Sequence, residues 1–401
     1  MLAPPGATAA LVASVLGRVS LGMTGLALLL LVRKATGSYA DAGFVSAAYA
    51  ISFAVAAPYR ARAADRQGPA AVLRLTGLTH PLCFGLLVVL ADLGAPTLAM
   101  AAAAALIGAT VPPLGAVMRA LWGSLVEGPL LGTAYSLESV VIELCFVSGP
   151  LLVAGLAFLL GPEAAALGSG GVAAAGALAL AANPCVRAVV PHPARPTSLA
   201  GPLVAPQVRA CLLNVLWIGI GFGTIEVGVL AFADAEGHSR SVAGVVLAVW
   251  ALGSVLGGLV YGGLHLATAA QRQLPVLATA VGTGAALPVL SPDLLLLAVL
   301  LLLAGSTVAP YSACNSVLLG SSAPPGTVTE AFAWNGSMIF GGAALGTALA
   351  GVLVEAAGAR AVFVATLVSG VLTVGSSWLG LRLTRDTVRT WVPDARSSPG
   401  A

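Results

Sequence analysis

Charge is what this chain most lacks. Only 8% of its 401 residues are Asp, Glu, Lys or Arg, while 58% are hydrophobic and the mean hydropathy is +0.99. Soluble domains carry about 25% charged residues, so a water-soluble globular fold is excluded. Histidine is scarce as well: His80, His192, His238 and His265 show no metal-ligand spacing, and neither a metal nor a cofactor is expected. The five cysteines (Cys83, Cys145, Cys185, Cys211 and Cys314) are odd in number, lack metal-ligand spacing, and read as reduced packing residues. A phosphate-binding Walker loop and a Gly-x-Ser-x-Gly elbow are both missing, so no enzyme is expected and transport, if any, must be driven by a gradient. The net charge of +3 gives no reason to expect nucleic acid.

What is present is a series of continuous apolar runs, each about 18 to 27 residues long, enough to cross a bilayer as a helix. Barrel strands would alternate in polarity, and these runs do not. Breaking the chain at charges, prolines and glycine-rich turns predicts twelve spans: 9–32, 41–59, 71–91, 96–118, 131–159 and 167–189, then 209–233, 242–264, 273–290, 294–316, 329–355 and 361–381. The first run is too long for a cleavable signal and has no basic group before it, so it is kept as a span with no targeting peptide removed. The predicted fold is all-α and polytopic. Its expected units are a six-helix bundle at 1–183, a linker at 184–208, a second six-helix bundle at 209–382 and a tail at 383–401. The linker region holds Pro184, Pro191, Pro193, Pro196 and Pro202 with Arg187, His192 and Arg195, and reads as an extended hinge.

Charge asymmetry sets the expected orientation. With both termini in the cytoplasm, Arg60, Arg62, Arg66, Arg74, Arg119, Arg187, Arg195, Arg209, Arg272, Arg382, Arg385, Arg389 and Arg396 fall inside, and only Arg33, Lys34, Arg240 and Arg360 fall outside. Basic residues favour the cytoplasmic side, so a multi-pass protein of the cytoplasmic membrane, monomeric in the lipid bilayer, is expected.

The two halves repeat. An ungapped offset of 197 positions carries Gly108-Ala-Thr-Val-Pro-Pro onto Gly305-Ser-Thr-Val-Ala-Pro, Gly123-Ser124 onto Gly320-Ser321, Ile142 onto Ile339 and Gly149 onto Gly346. A direct repeat in one orientation needs an even number of spans per half, which six supplies. Parallel repeats about an axis along the membrane normal mark one large class of secondary transporters.

After the second span the sequence reads Ala61-Arg62-Ala63-Ala64-Asp65-Arg66-Gln67-Gly68. With its Asp-Arg-x-Gly core at that place, the chain resembles the major facilitator superfamily over nearly its whole length. That resemblance implies a cytoplasmic gate containing Asp65, Arg66 and Gly68, with Gly258 as the counterpart of Ala61 in the second half. Departures are Ala61 for the family's leading glycine, and Pro69 and Ala70 for its two following basic residues. Gly149-Pro150 matches part of the fifth-helix kink common among that family's antiporters, and so points to export. Gly253/Gly257, Ser254/Gly258/Gly262 and Gly342/Gly346/Ala350 place small residues four apart and read as helix-packing faces.

The embedded ionisable groups are Arg18, Glu138, Glu143 and Glu226. A charge at the centre of a span costs roughly 2.5 to 3.5 kcal/mol on insertion scales and faces a protein interior or a water-filled path. Arg18 and Glu138 sit at similar depths, so they are expected to pair. Glu143 is turned roughly 140° from Glu138, so the two should not share a cavity, and the offset matches Glu138 with Asn335, which favours Glu138 as the cavity group. Glu143 and Glu226 are reserve candidates for a proton site. Tyr135, Trp217, Tyr311, Asn315 and Trp334 are candidate pocket-lining residues, and His80 reads as a hydrogen-bonded histidine outside the path.

These features favour a proton-coupled exporter of a small organic compound. Uptake of a sugar, amino acid or other metabolite by proton symport is the alternative within transport. A non-transporting sensor or membrane-embedded transferase would need a large additional loop, and no connection is long enough.

Overall fold

The computed structural model describes residues 6–126, 129–191, 200–264 and 269–389. The middle of the predicted linker with His192, Pro193, Arg195 and Pro196, the loop with His265, and the tail with Arg396 lie outside the described residues. Among the described residues every regular element is helical. In order they are α1 (Ala7–Thr36), α2 (Tyr39–Gln67), α3 (Pro69–Asp92), α4 (Thr97–Thr110), α5 (Leu114–Leu125), α6 (Pro129–Leu160), α7 (Pro162–Ala182) and α8 (Pro184–Arg187). Then come α9 (Pro206–Ala235), α10 (Arg240–Gly263), α11 (Ala270–Ala286), α12 (Leu294–Gly305), α13 (Val308–Ser322), α14 (Val328–Ala357) and α15 (Ala359–Arg389), with 3₁₀ turns at Gly201–Val204 and Leu287–Leu290. Counting α4 with α5, α11 with its 3₁₀ turn and α12 with α13, twelve helical spans are long and apolar enough to cross a membrane.

Local chemistry sets the helix ends. Gly37 at φ 72° closes α1, and Gly68 at φ 91° separates α2 from α3, both in the region that favours glycine. Ser38 and Asp293 cap α2 and α12 by accepting from the backbone N–H groups of Asp41 and Leu296. Within the spans, hydroxyls bond back one turn, as Thr24 to the Ser20 carbonyl (2.8 Å) and Thr373 to that of Ser369 (2.9 Å). That keeps polar hydrogens out of the apolar surroundings.

Two pseudo-symmetric six-helix bundles result, and matched glycines build both. Where α1 crosses α6, a Cβ on Gly22 would overlap the Cys145 carbonyl, and one on Gly149 would overlap the Gly22 backbone. At the matching positions 197 residues on, Gly219 of α9 lies against Ile339 and Gly342 of α14, and Gly346 lies against Ile220. Likewise Gly108 brings α4 onto α2 at Tyr49 and Phe53, as Gly305 brings α12 onto α10 at Trp250. Backbones in contact gain packing that larger side chains would prevent. The glycine rows of α10 divide: Gly253 and Gly257 face α12 within the bundle, whereas Gly258 and Gly262 face Val140, Ser136 and Thr133 of α6 in the other bundle.

Several predicted limits are corrected. The fourth and tenth spans are not continuous but break at residues 111–113 and 306–307, inside the repeated Gly-x-Thr-Val-x-Pro motif. Pro112 and Pro113 have no N–H, so the carbonyls of Gly108 and Ala109 lose their intrahelical donors. Arg60 of α2 replaces both, its Nη1 donating to Gly108 O at 2.9 Å and Ala109 O at 2.7 Å. In the second copy a single proline, Pro310, stands at this place, and Gly257 occupies the position of Arg60 directly against the Ser306 backbone. The sixth span is 162–182 rather than 167–189, because Pro162 starts α7 and Asn183 caps the separate short helix α8. The linker is therefore not extended throughout, α9 begins at Pro206 rather than 209, and α15 continues to Arg389.

Replacing Gly219 by Ala should lower the thermal stability of the purified protein, since the new methyl meets α14 backbone; overpacking of this kind costs about 1–3 kcal/mol. Gly25→Ala, with nothing within 4 Å of its Cβ, should melt like the parent.

Candidate functional site

The bundles meet at the end where α1 begins, α2 finishes and α14 starts, here termed the terminal end. Asp65, in the last turn of α2, accepts hydrogen bonds from the backbone N–H groups of Thr329 (3.2 Å) and Glu330 (2.9 Å). Those groups belong to the first turn of α14, where amides have no intrahelical partner and the helix dipole is positive. Arg62, one turn before Asp65, clamps the Glu330 carboxylate through Nε to Oε2 (2.8 Å) and Nη2 to Oε1 (2.5 Å). Gly201 of the first 3₁₀ turn covers this pair at φ 55°. A Cβ there would stand 2.6 Å from Glu330 Oε1 and 3.0 Å from Arg62 Nη2.

The offset of 197 carries Asp65 onto Gly262 and Thr133 onto Glu330, and this second pair also meets: Thr133 Oγ1 donates to Gly262 O at 2.7 Å. One contact is ionic and its pseudo-symmetric partner is neutral. Gly258 supports the neutral side by admitting Val140 and Ala309, and Gly68 ends α2 just after Asp65. Arg66 was expected in this gate, but it is exposed. Residues three apart share a helix face and adjacent ones do not, so Arg62 stands beside Asp65. Sequence reasoning missed Arg62 and Glu330 as partners, although Thr327-Val-Thr-Glu330 has the spacing of a capping box at a helix start.

Inside the first bundle, Arg18 and Glu138 form an ion pair with Nη1–Oε2 at 2.6 Å and Nη2–Oε1 at 3.4 Å, their side chains 2% and 1% exposed. Trp122 of α5 donates its Nε1–H to Glu138 Oε1 at 3.0 Å, and Arg18 Nε reaches the Ser14 carbonyl at 3.3 Å. Gly115 leaves room for the guanidinium stem. The matching level of the second bundle is neutral: Val215 replaces Arg18, and Asn335 accepts from Asn315 Nδ2 at 3.3 Å. Glu138 is thus sealed by two donors in this conformation. It does not face an open cavity, contrary to the expectation from the repeat.

Glu143 points instead across the interface, towards the buried Ser254 of α10, whose hydroxyl has no well-aligned hydrogen bond. Glu226 is exposed on α9. Of the candidate pocket residues, Tyr135 donates to the Arg119 carbonyl (3.1 Å) and packs against Phe332 of α14 with ring centroids 5.7 Å apart, so it closes the terminal end. Tyr311 and Asn315 are buried, and Trp217 and Trp334 half-buried. Gly149 serves the α1 crossing, with Pro150 inside the continuous α6. His80 is buried and bonded to Thr110 (3.1 Å). An aromatic group that sequence reasoning did not single out joins the halves near mid-height: Phe340 of α14 meets Phe53 of α2 at 5.7 Å and Phe146 of α6 at 6.2 Å.

No protein-family model matches the sequence, and no curated protein matches it. Solved structures do. A human organic anion transporter (MFSD10) is 16% identical with a TM-score of 0.73, covering 93% of this chain and 100% of its own. A bacterial homologue of the iron transporter ferroportin in an outward-facing state gives 13% identity and a TM-score of 0.76, covering 94% and 99%. FucP, a major facilitator superfamily transporter in its outward conformation, gives 14% and 0.69, covering 93% and 98%. The described helices therefore have the major facilitator fold.

A cysteine placed at Ala333, buried against Ala57 and Ala61, should react with maleimide several-fold faster when Asp65→Asn, Arg62→Ala or Gly201→Val opens the terminal end, and at the parent rate with Arg66→Ala. Arg18→Ala should cost about 3–5 kcal/mol of stability by leaving a buried carboxylate unpaired. Arg18→Ala with Glu138→Gln should recover part of that loss in the same melting assay.

Proposed function

We propose that the chain is a secondary active transporter that exports a small organic compound in exchange for protons by alternating access. The observation that carries this reading is the terminal-end interface. Two bundles, each locked internally by glycine crossings, meet at that end through a helix-terminus contact, one ion pair and one hydroxyl bond, with a second hydroxyl bond, Ser337 Oγ to the Ala54 carbonyl at 2.8 Å, towards mid-height; all of these can break without unfolding either bundle. The conformation is read as outward-facing, with the terminal end in the cytoplasm. Supporting that orientation, Arg66, Arg74, Arg187, Arg209 and Arg272 are exposed near the terminal end, while Asp65 and Glu330 there are engaged in the interface. Opposite them lie Asp92, Asp234, Glu236, Asp293 and Glu355, all exposed. The protein works as a monomer in the cytoplasmic membrane, and the gradient it uses is the proton gradient.

In this scheme Glu138 is the coupling carboxylate. Ionised, it is held by Arg18 and Trp122; protonated, it loses the ionic part of that hold, and α6 is freed relative to α1 and α5. A proton reaching Glu138 when the terminal end closes differently would thus change the packing next to Tyr135 and the interface.

Glu138→Gln in proteoliposomes should abolish transport driven by an imposed pH gradient while leaving exchange of substrate down its own gradient. Proton flux and tolerance to amphipathic compounds, measured in cells with and without the chain, supply the substrate for that assay. Wild-type pH dependence in Glu138→Gln would make the pair purely structural.

A further inference from the structure

Near mid-height, where Phe340 joins the bundles and Ser337 of α14 donates to the Ala54 carbonyl of α2 at 2.8 Å, the interface holds a second acidic group with a different environment. Phe53, Glu143 and Phe340 lie about 18–21 Å along their helices from the terminal end, and Phe146 is one turn beyond Glu143 on the same side of α6. The offset of 197 carries Glu143 onto Phe340, so a carboxylate on one bundle faces the pseudo-symmetric position of a phenyl ring on the other. α2 and α6 both pack against α1, and Phe340 touches rings from each of them. It therefore lies over α1, between the bundles. Phe146 and Phe340 are 41% and 37% exposed, and Glu143 is half-buried.

Glu143 differs from Glu138 in what surrounds it. Its neighbour across the interface is the Ser254 hydroxyl, and among the described residues no cation is paired with it. The arginines of the first bundle's interior have other partners: Arg18 is held by Glu138, and Arg60 by the carbonyls of Gly108 and Ala109 and by the Phe53 ring, whose centroid lies 5.8 Å from its guanidinium carbon. Arg119 lies on α5, about 9 Å from the terminal end by helical rise, below the aromatic level. An ionised carboxylate in a membrane span requires a partner, and ring faces attract cations by their quadrupole.

From this arrangement we infer that Glu143 with Phe146 and Phe340 forms the substrate site, the Phe53 ring being taken by Arg60, and that it takes an organic monocation with apolar substituents, such as a quaternary ammonium, a phosphonium or a protonated tertiary amine. The assignment deepens the transport reading above and rests on it for the word substrate. An anion would meet Glu143 with no cation beside it, and a polyol would find one carboxylate and one hydroxyl among phenyl rings.

Equilibrium binding of tetraphenylphosphonium, and of tetraphenylborate as its anionic match in shape, to the full chain in nanodiscs tests the site. The parent should bind the phosphonium in preference to the borate. Glu143→Gln should weaken phosphonium binding by about tenfold or more, the scale of losing one charged contact. Glu143→Asp should retain most of it, and Phe340→Leu should weaken it by about threefold, with cooperative melting confirming that each variant is folded. Equal binding of the two ions, no phosphonium binding by the parent, or parent-like binding by folded Glu143→Gln would each overturn the assignment. Phosphonium binding without proton-driven transport would leave the site standing and remove the transport reading. Proton-driven transport of another compound without phosphonium binding would do the reverse.

Discussion

The carboxylate of Asp65 on the first turn of α14 is the contact on which the conformation depends. Two amides that α14 cannot satisfy internally are satisfied from the other bundle, so the start of that helix is completed only while the bundles touch. The energies involved are small. A carboxylate at a partly buried helix N-terminus is worth about 1–2 kcal/mol. Arg62 is 20% exposed, so its pair with Glu330 adds on the order of 1 kcal/mol once solvent screening is counted. A sum of a few kcal/mol holds one state firmly, yet lies within what differential binding of a ligand or proton can offset.

That balance works because the bundles themselves are hard to deform. Gly22, Gly149, Gly219 and Gly346 bring backbones into direct contact at matched crossings, and close-packed interiors resist continuous distortion. Displacement is thereby channelled to the interface, where α10 offers Gly258 and Gly262 instead of large side chains. The second copy of each polar contact has lost its charge: Asp65 corresponds to Gly262, Arg60 to Gly257, Glu330 to Thr133, Glu143 to Phe340 and Glu138 to Asn335. Geometry repeats and electrostatics do not. A symmetric pair of ionic gates would raise the cost of opening; one ionic contact with the Thr133 and Ser337 hydroxyl bonds keeps that cost low.

The twelve spans, the repeat, and the shared depth of Arg18 and Glu138 were legible in the sequence because apolar length, spacing and helical rise are local quantities. The breaks in the fourth and tenth spans were hidden, since hydropathy stays high through Val111-Pro112-Pro113 and the donor that tolerates the break, Arg60, lies in another helix. Arg66 was favoured over Arg62 because a motif is read along the chain, whereas a gate is assembled on one helix face. The aromatic contact of Phe340 with Phe53 and Phe146 joins residues from three spans and leaves no periodic trace.

The two carboxylates of α6 show how five residues of spacing can separate two tasks on one helix. Glu138 looks into its own bundle, where it is buried and Arg18 and Trp122 satisfy it, so its charge state is tied to the packing of α1, α5 and α6. Glu143, turned roughly 140° away, looks across to Ser254 of the other bundle, and among the described residues no cation is paired with it. A ligand that neutralises Glu143 acts between the bundles; a proton that neutralises Glu138 acts within one of them. Because both groups are rigidly joined through one turn and a half of α6, a shift forced by either is felt at the other. Near its start the same helix carries Thr133 and Tyr135, which close the terminal end. α6 therefore connects the three places where charge or contact must change during a transport cycle.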